Sequence, residues 1–250
     1  MDASVPKQFT NSIGMRLNLI PAGTFLMGSP ESEADRIADE HQHQVTISKG
    51  FYMGTTEVTQ GQWKAVMGTE PWKDEEYTIE GSDVAASYVS YEDAVAFCKK
   101  LSRSRRTHIP IADGGRVGIR LSGGKRNGLQ FWGNGASSLK DYGWYYENAD
   151  GVGEEYAHGV GQKRANGYGL YDMHGNVWEW CSDWYDEDYY KDSPSVDPSG
   201  PSSGIFRLYR GGSWYNAAGL CRSANRSGFT PDLRNNSLGF RLVSVSQPVR

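Results

Sequence analysis

The chain has 250 residues and a formal net charge of −4, with 31 glycines, 15 tyrosines and 8 tryptophans. This length suits one large domain or two small ones. A single core could bury about three quarters of the unfolded surface, so no disulfide framework is required. The acidic balance argues against a nucleic-acid partner, because phosphate binding needs a basic face. There is no run of about 18 apolar residues to span a membrane, and many glycines with many aromatics indicate a loop-rich fold.

The N-terminal segment and the cysteines limit the cellular location only partly. Residues 1–10 form a polar tail without the apolar core of a signal peptide, so we expect a cytoplasmic protein or a surface protein whose leader was removed. The cysteines are Cys98, Cys181 and Cys221. Because their number is odd, at most one bridge forms within the chain. Cys221 either pairs with Cys181 or is a small buried apolar residue.

The first predicted elements are strands. Residues 15–27 alternate apolar and polar around Pro21, Ala22 and Gly23, which predicts a hairpin. Residues 30–43 are charged and loop-like. Residues 45–58 are strand-like.

Two helices follow. Residues 59–67 predict a helix with Thr59 as its N-cap and Gln62 three residues later, as in a capping box. Residues 90–101 predict a second helix capped by Ser90. Its apolar positions recur at helical spacing on one face and are Ala94, Phe97, Cys98 and Leu101. Farther on, residues 172–184 and 207–243 are rich in aromatics and glycines but show few regular elements.

Specific motifs occur in a fixed order along the chain. They are Pro21-Ala22-Gly23-Thr24-Phe25-Leu26-Met27-Gly28, Gly175-Asn176-Val177-Trp178-Glu179-Trp180, Arg210-Gly211-Gly212-Ser213-Trp214 and Leu238-Gly239-Phe240-Arg241. With these motifs the chain resembles the formylglycine-generating-enzyme (FGE, or sulfatase-modifying-factor) family. The resemblance implies an α+β, C-type-lectin-like fold that is loop-rich, with few short helices and small antiparallel sheets. We expect the domain to cover residues 11–244, between an N-terminal tail, 1–10, and a C-terminal tail, 245–250.

One segment departs from the family pattern. The family has a helix reading Leu-Pro-Thr-Glu-Ala-Glu-Trp-Glu-Tyr-Ala-Cys-Arg-Ala-Gly where this chain has residues 111–124. Codons can be chosen for residues 111–124 that encode this helix when read one base later. We therefore interpret residues 106–132 as a frame-shifted segment; the alternative is a divergent loop. Each glycine in a helix interior costs about 1 kcal/mol relative to alanine, so we expect irregular structure there.

The resemblance also bears on redox chemistry. The family's enzymes oxidise a substrate cysteine with two active-site cysteines that bind copper(I), for which soft thiolates are suitable ligands. The first cysteine should follow Gly-Gly-Ser-Trp-Tyr, where this chain has Asn216. An ungapped count places the second at Cys221, whereas anchoring on Ala224-Asn225-Arg226-Ser227 moves Cys221 off that position. We therefore expect no catalytic residue and no copper.

The resemblance further implies a calcium site. Its ligands would be Asp172, Gly175, Val177 and Glu179, two carboxylates and two backbone carbonyls, which are hard oxygen donors suited to Ca²⁺. We expect a structural Ca²⁺ there. The alternative is that Asp172 and Glu179 only accept backbone hydrogen bonds in a tight loop. His174 lies in the same motif and is interpreted as structural.

The C-terminal region is also similar to variable proteins of diversity-generating retroelements, which share this fold. In those proteins the adenines of asparagine-type AAY codons are randomised. Between the framework motifs of residues 210–243 lie residues that are all reachable from AAY by changing adenines. They are Tyr215, Asn216, Ala217, Ala218, Gly219, Leu220, Ser227, Gly228, Phe229 and Leu233. With Trp214, which borders them, they form the predicted ligand-binding surface, with Tyr215 and Phe229 as aromatic anchors.

These observations favour a non-catalytic domain that binds a protein or a small-molecule ligand through its C-terminal surface. An ordinary non-catalytic family member, whose loops vary without a retroelement, fits the same pattern. The alternative function is an oxidase that converts a sulfatase cysteine to formylglycine.

Overall fold

In the computed structural model, residues 6–103 and 136–244 are described. The predicted frame-shifted segment, residues 106–132, lies outside them. Within the described residues, no helix is long and apolar enough to cross a bilayer.

The first sheet joins the two ends of the described chain. It contains, in spatial order, β1 (Gln8–Thr10), β2 (Arg16–Ile20), β5 (Phe51–Gly54) and β10 (Val243–Ser244), and every neighbouring pair is antiparallel. β1 lies inside residues 1–10, which were predicted to be a polar tail. The folded part therefore begins before residue 11.

The hairpin predicted for residues 15–27 is wrong. β3 (Gly23–Met27) does not pair with β2 but with β4 (His43–Ile47), in a separate two-stranded antiparallel sheet. Pro21 and Ala22 form the whole connection between β2 and β3. Two-residue hairpin turns need a positive φ at their first central residue, and the proline ring fixes φ near −65°. The chain therefore passes from one sheet to another at this point.

Both predicted helices are present. α1 (Gln60–Met67) begins with the capping box, in which Thr59 Oγ1 accepts from Gln62 N–H at 3.2 Å and Gln62 Oε1 accepts from Thr59 N–H at 3.1 Å. α2 (Tyr91–Arg103) begins after Ser90, whose Oγ accepts from the N–H of Asp93 at 3.1 Å. The predicted stripe of α2 is buried, with 0–5% exposure at Ala94, Phe97, Cys98 and Leu101.

The third sheet lies where the sequence showed few regular elements. Its spatial order is β8 (Ser227–Phe229), β7 (Arg207–Arg210), β6 (Trp178–Trp184) and β9 (Leu238–Gly239). β6 is buried along its first four residues, so it lacks the apolar-polar alternation by which a half-exposed strand is recognised. β6 and β9 are parallel, an exception to the antiparallel sheets that were predicted.

Helices and sheets meet in one aromatic core. Trp63 of α1 stacks on Phe97 of α2 with ring centroids 5.5 Å apart, and Phe240, just after β9, contacts both rings edge-on. Trp180 of β6 donates from its indole N–H to the carbonyl of Val89, before α2, at 3.0 Å. The third sheet is thus held against both helices, which fixes its other strands, β7 and β8, as the support of the C-terminal surface. The α+β, loop-rich prediction is confirmed.

Candidate functional site

The candidate surface begins where β7 ends. Gly211 and Gly212 have φ of 103° and 77°, a region that other residues rarely adopt. A Cβ at Gly212 would lie 2.5 Å from the Sγ of Cys221. The missing side chain therefore lets this turn pack directly on the short 3₁₀ helix Ala218–Cys221.

Exposure follows the division between framework and candidate residues. The framework residues Cys221 to Arg226 are all buried. The exposed candidates are Tyr215, Ala217, Leu220 and Phe229, and the half-buried ones are Ala218, Gly219, Ser227, Gly228 and Leu233. The framework of residues 221–226 thus points inward, and four of the eleven candidate residues are exposed beside it.

Two predicted surface residues are not on the surface. Trp214 is 3% exposed and packs in an apolar cluster with Val177 and Ala157. Asn216 is 8% exposed; its Oδ1 accepts from Ser213 Oγ at 2.6 Å. Both side chains therefore support the segment from within and are unavailable to a ligand in this structure.

Two further candidates have little room for a larger side chain. A Cβ at Gly219 would lie 2.8–2.9 Å from atoms of the Asp35 side chain, and a Cβ at Gly228 would lie 2.6 Å from Tyr185 Cβ and Cγ. Real Cβ atoms do not approach neighbours so closely, so Asp35 or Tyr185 would have to move. Fewer positions than the sequence indicated can therefore vary without moving a neighbouring side chain.

The structure brings three of the candidates together around Tyr209 of β7. Ser227 pairs with Tyr209 across β7 and β8, and their hydroxyl groups are 3.1 Å apart. Phe229 is two residues farther along β8 and therefore lies on the same sheet face. Burial raises the pKa of Tyr209, and the nearby phenol of Tyr215 adds to this rise. Ser227 and Phe229 thus share one sheet face, and the phenol of Tyr215 lies near Tyr209 on it.

The other candidates lie apart from this group. Ala218 packs beside the buried cluster of Leu139 and Tyr145, whereas Leu233 packs on the main aromatic core. Leu220 lies in the same 3₁₀ helix as Ala218, Ala218–Cys221, and is 42% exposed. Ala218 and Leu233 therefore pack on different clusters and do not extend the group around Tyr209.

Buried arginines hold the framework beneath this surface. Arg222 has no exposed side-chain area, and its guanidinium donates to Glu33 at 2.8 Å and to the two carboxylate oxygens of Glu40 at 2.6 and 2.9 Å. It also donates to the carbonyl oxygens of Gly219 and Asp35. One side chain therefore ties the candidate segment to the loop of residues 30–43.

A second arginine repeats this arrangement. Arg226 donates to Asp39 at 3.3 Å and to the carbonyl of Asp186 at 2.8 Å, and its guanidinium lies over the rings of Tyr190 and Tyr185. Sequence reasoning placed residues 30–43 in a loop but missed that their carboxylates neutralise the framework arginines. The available signal was an acidic loop together with arginines in the C-terminal framework. Neither set of residues recurs at a regular spacing, so the sequence does not show which acid pairs with which arginine.

The cysteines are free thiols in three separate clusters. Cys221 is completely buried, and burial raises the pKa of its thiol to about 12. Cys98 lies in the main core and Cys181 in the cluster beside the first sheet. The pairing of Cys181 with Cys221 is not found. Cys221 is the small buried residue of the other alternative.

The predicted calcium ligands were tested for fit. Both carboxylate oxygens of Glu179 accept from Arg241, at distances of 2.5–2.8 Å. Asp172 Oδ2 accepts from the N–H of Gly161 at 2.6 Å. Burial first, and the charge of Glu179 in addition, raise the pKa of Asp172 to about 6. Among the described residues, no group of three or more His, Cys, Asp or Glu has the arrangement of a metal site.

Glu179 is held by an arginine and is not open to a metal ion, whereas Asp172 Oδ1 and Glu57 Oε2 have no hydrogen-bond partner. Glu57 joins the same cluster, where burial and the charge of Asp172 raise its pKa well above the ordinary value. An arginine-centred network already uses Glu179, one of the four predicted ligands. Calcium binding stays a prediction that these contacts do not support.

Comparison with known proteins identifies the family. Residues 3–245 match the sulfatase-modifying factor enzyme 1-like domain. The formylglycine-generating enzyme of Mus musculus is 28% identical over 289 residues, covering 92% of this chain and 75% of the mouse protein. That of Streptomyces coelicolor is 49% identical over 80 residues, which is 31% of this chain and 26% of that enzyme, so this match spans about a quarter of the relative's length.

A solved structure agrees with this result. Variable protein 1 of Treponema denticola superimposes with a TM-score of 0.85 and 28% identity, covering 97% of this chain and 100% of that protein. The chain therefore belongs to the sulfatase-modifying factor enzyme 1-like (FGE-sulfatase) domain family, and its fold is the C-type-lectin-like α+β fold of that family.

Proposed function

We propose that this chain is a non-catalytic family member that binds a protein or a small-molecule ligand through its C-terminal surface. The observation that carries the proposal is the exposure pattern of residues 213–233. Buried arginines fix the framework, while Tyr215, Leu220 and Phe229 project to solvent at 41–45% exposure. Exposed aromatic and aliphatic side chains on a rigid support are typical of recognition surfaces, because little side-chain entropy is lost on binding.

The thiol chemistry supports recognition over oxidation. A copper(I) site of the family type needs two thiolates, and Asn216 stands at the first position. Cys221 is completely buried, and one thiol cannot supply both sulfur ligands of such a site.

Diversification of this surface by a retroelement is part of the proposal. Its support is the agreement between codon reachability and exposure at Tyr215, Ala217, Leu220 and Phe229, together with the likeness to a protein called variable protein 1. The test is genomic. We expect a reverse transcriptase gene nearby and a near-identical template repeat of the segment that encodes residues 210–243. If the neighbouring DNA contains neither the gene nor the repeat, the chain is an ordinary family member whose surface is not diversified by a retroelement.

The alternative function is formylglycine generation, which the relatives named formylglycine-generating enzyme favour. The discriminating experiment incubates the chain with copper(I), oxygen and a peptide carrying a sulfatase-type cysteine motif, with mass spectrometry as the readout. We expect no conversion above a copper-only control. Turnover that is lost in Cys221→Ser would overturn the non-catalytic proposal.

Binding itself is tested by display. A library randomised at Tyr215, Ala217, Leu220, Ser227 and Phe229 is panned against purified proteins. A matched control library randomises exposed residues Ser202, Ser203 and Ile205 instead. We expect specific, folded binders from the first library alone. Equal yields from both libraries would argue against a dedicated C-terminal surface.

A further inference from the structure

A row of side chains crosses the third sheet beside the candidate surface. The cross-strand partners are Trp184 of β6, Arg207 of β7 and Phe229 of β8. Tyr209 and Ser227 form the next row on the same face. Phe229, a candidate variable residue, therefore lies directly opposite Arg207, which belongs to no sequence motif.

Arg207 is held between aromatic rings. Its guanidinium carbon lies 3.5 Å from the ring centroid of Trp184 and 4.3 Å from that of Tyr91. Nη1 donates to the carbonyl of Ser182 at 2.7 Å, which fixes the rotation of the planar group. An arginine stacked in this way is already ordered and weakly hydrated, so binding an anion loses little further entropy.

The carboxylate of Asp183 acts on the charge of Arg207 without forming an ion pair with it. None of the ion pairs among the described residues includes Arg207, and its Nε–H has no hydrogen-bond acceptor. The other buried arginines of the C-terminal framework each donate at least two hydrogen bonds, to carboxylates, a hydroxyl or backbone carbonyls. They are Arg210, Arg222, Arg226 and Arg241. Arg207, with one hydrogen bond, is the exception, and it lies beside the candidate surface.

The chemistry of the row favours a single carboxylate. A phosphate carries more charge and is usually held by several cations or by a helix N-terminus. The strand partners of Arg207 are the uncharged Trp184 and Phe229, whereas Arg210 and Arg226 are only 1–2% exposed. One guanidinium among aromatic rings matches a carboxylate side chain flanked by apolar groups, as a protein surface presents it.

We propose that Arg207 is the constant contact of the binding surface, and that its partner is an acidic protein segment in which a Glu or Asp lies next to an apolar side chain. The partner's carboxylate accepts from Nη2 of Arg207, which makes no hydrogen bond among the described residues, and Nε–H, which is buried beside it, reports the contact. Its apolar neighbour packs on Phe229 and Tyr215, the residues that vary. This inference rests on the proposed function, because it names the partner of the same surface.

The test uses the whole chain and two small probes. Acetyl-Glu-Phe-Glu-amide and acetyl-Gln-Phe-Gln-amide are titrated separately while the ¹H–¹⁵N resonance of the Arg207 Nε–H is followed by NMR; Arg207→Lys identifies that resonance by its loss. We expect the acidic peptide to shift it to saturation and the amide peptide to leave it in place. Arg207→Gln should weaken binding of the acidic peptide about ten-fold or more, as expected for loss of a charged hydrogen bond. Arg164→Gln, an exposed arginine elsewhere, should have no effect.

The opposite results are equally specific. No shift with the acidic peptide, or equal shifts with both peptides, would overturn the assignment of Arg207. A shift with inorganic phosphate but not with the acidic peptide would also overturn it, in favour of a phosphorylated ligand. In each of these cases the display experiment would still succeed if the proposed function is right. Formylglycine formation, by contrast, would overturn the proposed function and leave the NMR result unaffected.

Discussion

Arg222 shows how the candidate surface depends on residues below it. Its guanidinium is completely buried and meets Glu33 and Glu40, both from the loop of residues 30–43. Removing one partner of a buried ion pair leaves the other charge unpaired in a region without water, which is far more unfavourable than the pair itself is favourable.

We therefore expect Arg222→Met to lower the free energy of unfolding by about 3–5 kcal/mol, measured by urea denaturation. The matched control is Arg164→Met, which breaks an exposed ion pair with Asp141 and should change stability by about 1 kcal/mol or less. Similar losses in the two variants would show that the Arg222 network contributes little.

His43 introduces a dependence on pH. Burial lowers its pKa, and the nearby charges of Arg226 and Arg210 act in the same direction, although a hydrogen bond to His41 opposes them. Because the folded-state pKa is below the unfolded value, the neutral ring stabilises the fold above the unfolded value of 6.5. This contribution is lost as the pH falls through the lower, folded value.

We expect the free energy of unfolding to decline as the pH falls through and below 6.5. His43→Gln should make this decline shallower, because the variant does not titrate there. His158, whose pKa is also lowered mainly by burial, retains part of the slope. An identical slope in His43→Gln and the unsubstituted chain would exclude His43 as its source.

At the scale of elements, β8 sets the limit on variation. It is the edge strand of the third sheet, with Ser227 and Phe229 on the candidate face and Gly228 against Tyr185 on the other. Alternation along a strand therefore makes two neighbouring positions tolerant and the one between them restricted.

We expect Gly228→Ala to destabilise the chain by about 1–3 kcal/mol, since the added Cβ overpacks the contact with Tyr185. Ser227→Ala, on the opposite face, is the matched control and should remain close to the parent. Thermal unfolding of both variants gives the comparison. A fully stable Gly228→Ala would return Gly228 to the set of variable positions.

The elements that the sequence predicts correctly are those whose sequence patterns act between residues a few positions apart. The capping residues Thr59 and Ser90 and the apolar stripe of α2 act within a few residues, so both helices were predictable. The partner of β3 is set by Pro21, which forbids the turn that the alternating pattern suggested. β6 was not predicted, because both faces of its first four residues are buried and its sequence therefore does not alternate between apolar and polar.

The candidate site was predictable in part for the same reason. Codon reachability and motif spacing identified Tyr215 and Phe229, which are exposed. They do not distinguish an outward residue from Asn216, whose side chain turns inward to Ser213. Arg207 gave no sequence signal, because its importance arises from rings contributed by α2 and β6.

At the scale of the whole molecule, Arg241 and its carboxylates link the first and third sheets. Arg241 donates to Glu179 of β6 and to the carbonyl of Gly54 at the end of β5. Arg241 therefore lies where Glu57, Asp172 and Glu179 converge and offsets part of their negative charge.

We therefore expect the melting temperature to be the same in EDTA and in excess CaCl₂, measured by differential scanning calorimetry. MgCl₂ serves as the control for a general effect of divalent cations. A rise in melting temperature that is specific to calcium and absent in Asp172→Asn would instead support the predicted site at Asp172, Gly175, Val177 and Glu179.

The long separation between partners affects how such a chain is made. Arg222 and Arg226 meet carboxylates 182 and 187 positions earlier, and β10 completes the sheet that β1 begins. While the chain is still emerging from a ribosome, the acidic loop of residues 30–43 lacks the charges of Arg222 and Arg226, and the first sheet lacks one edge. Contacts this distant in sequence form late and slowly. Nascent chains that stop short of these arginines should thus remain open to chaperones and proteases.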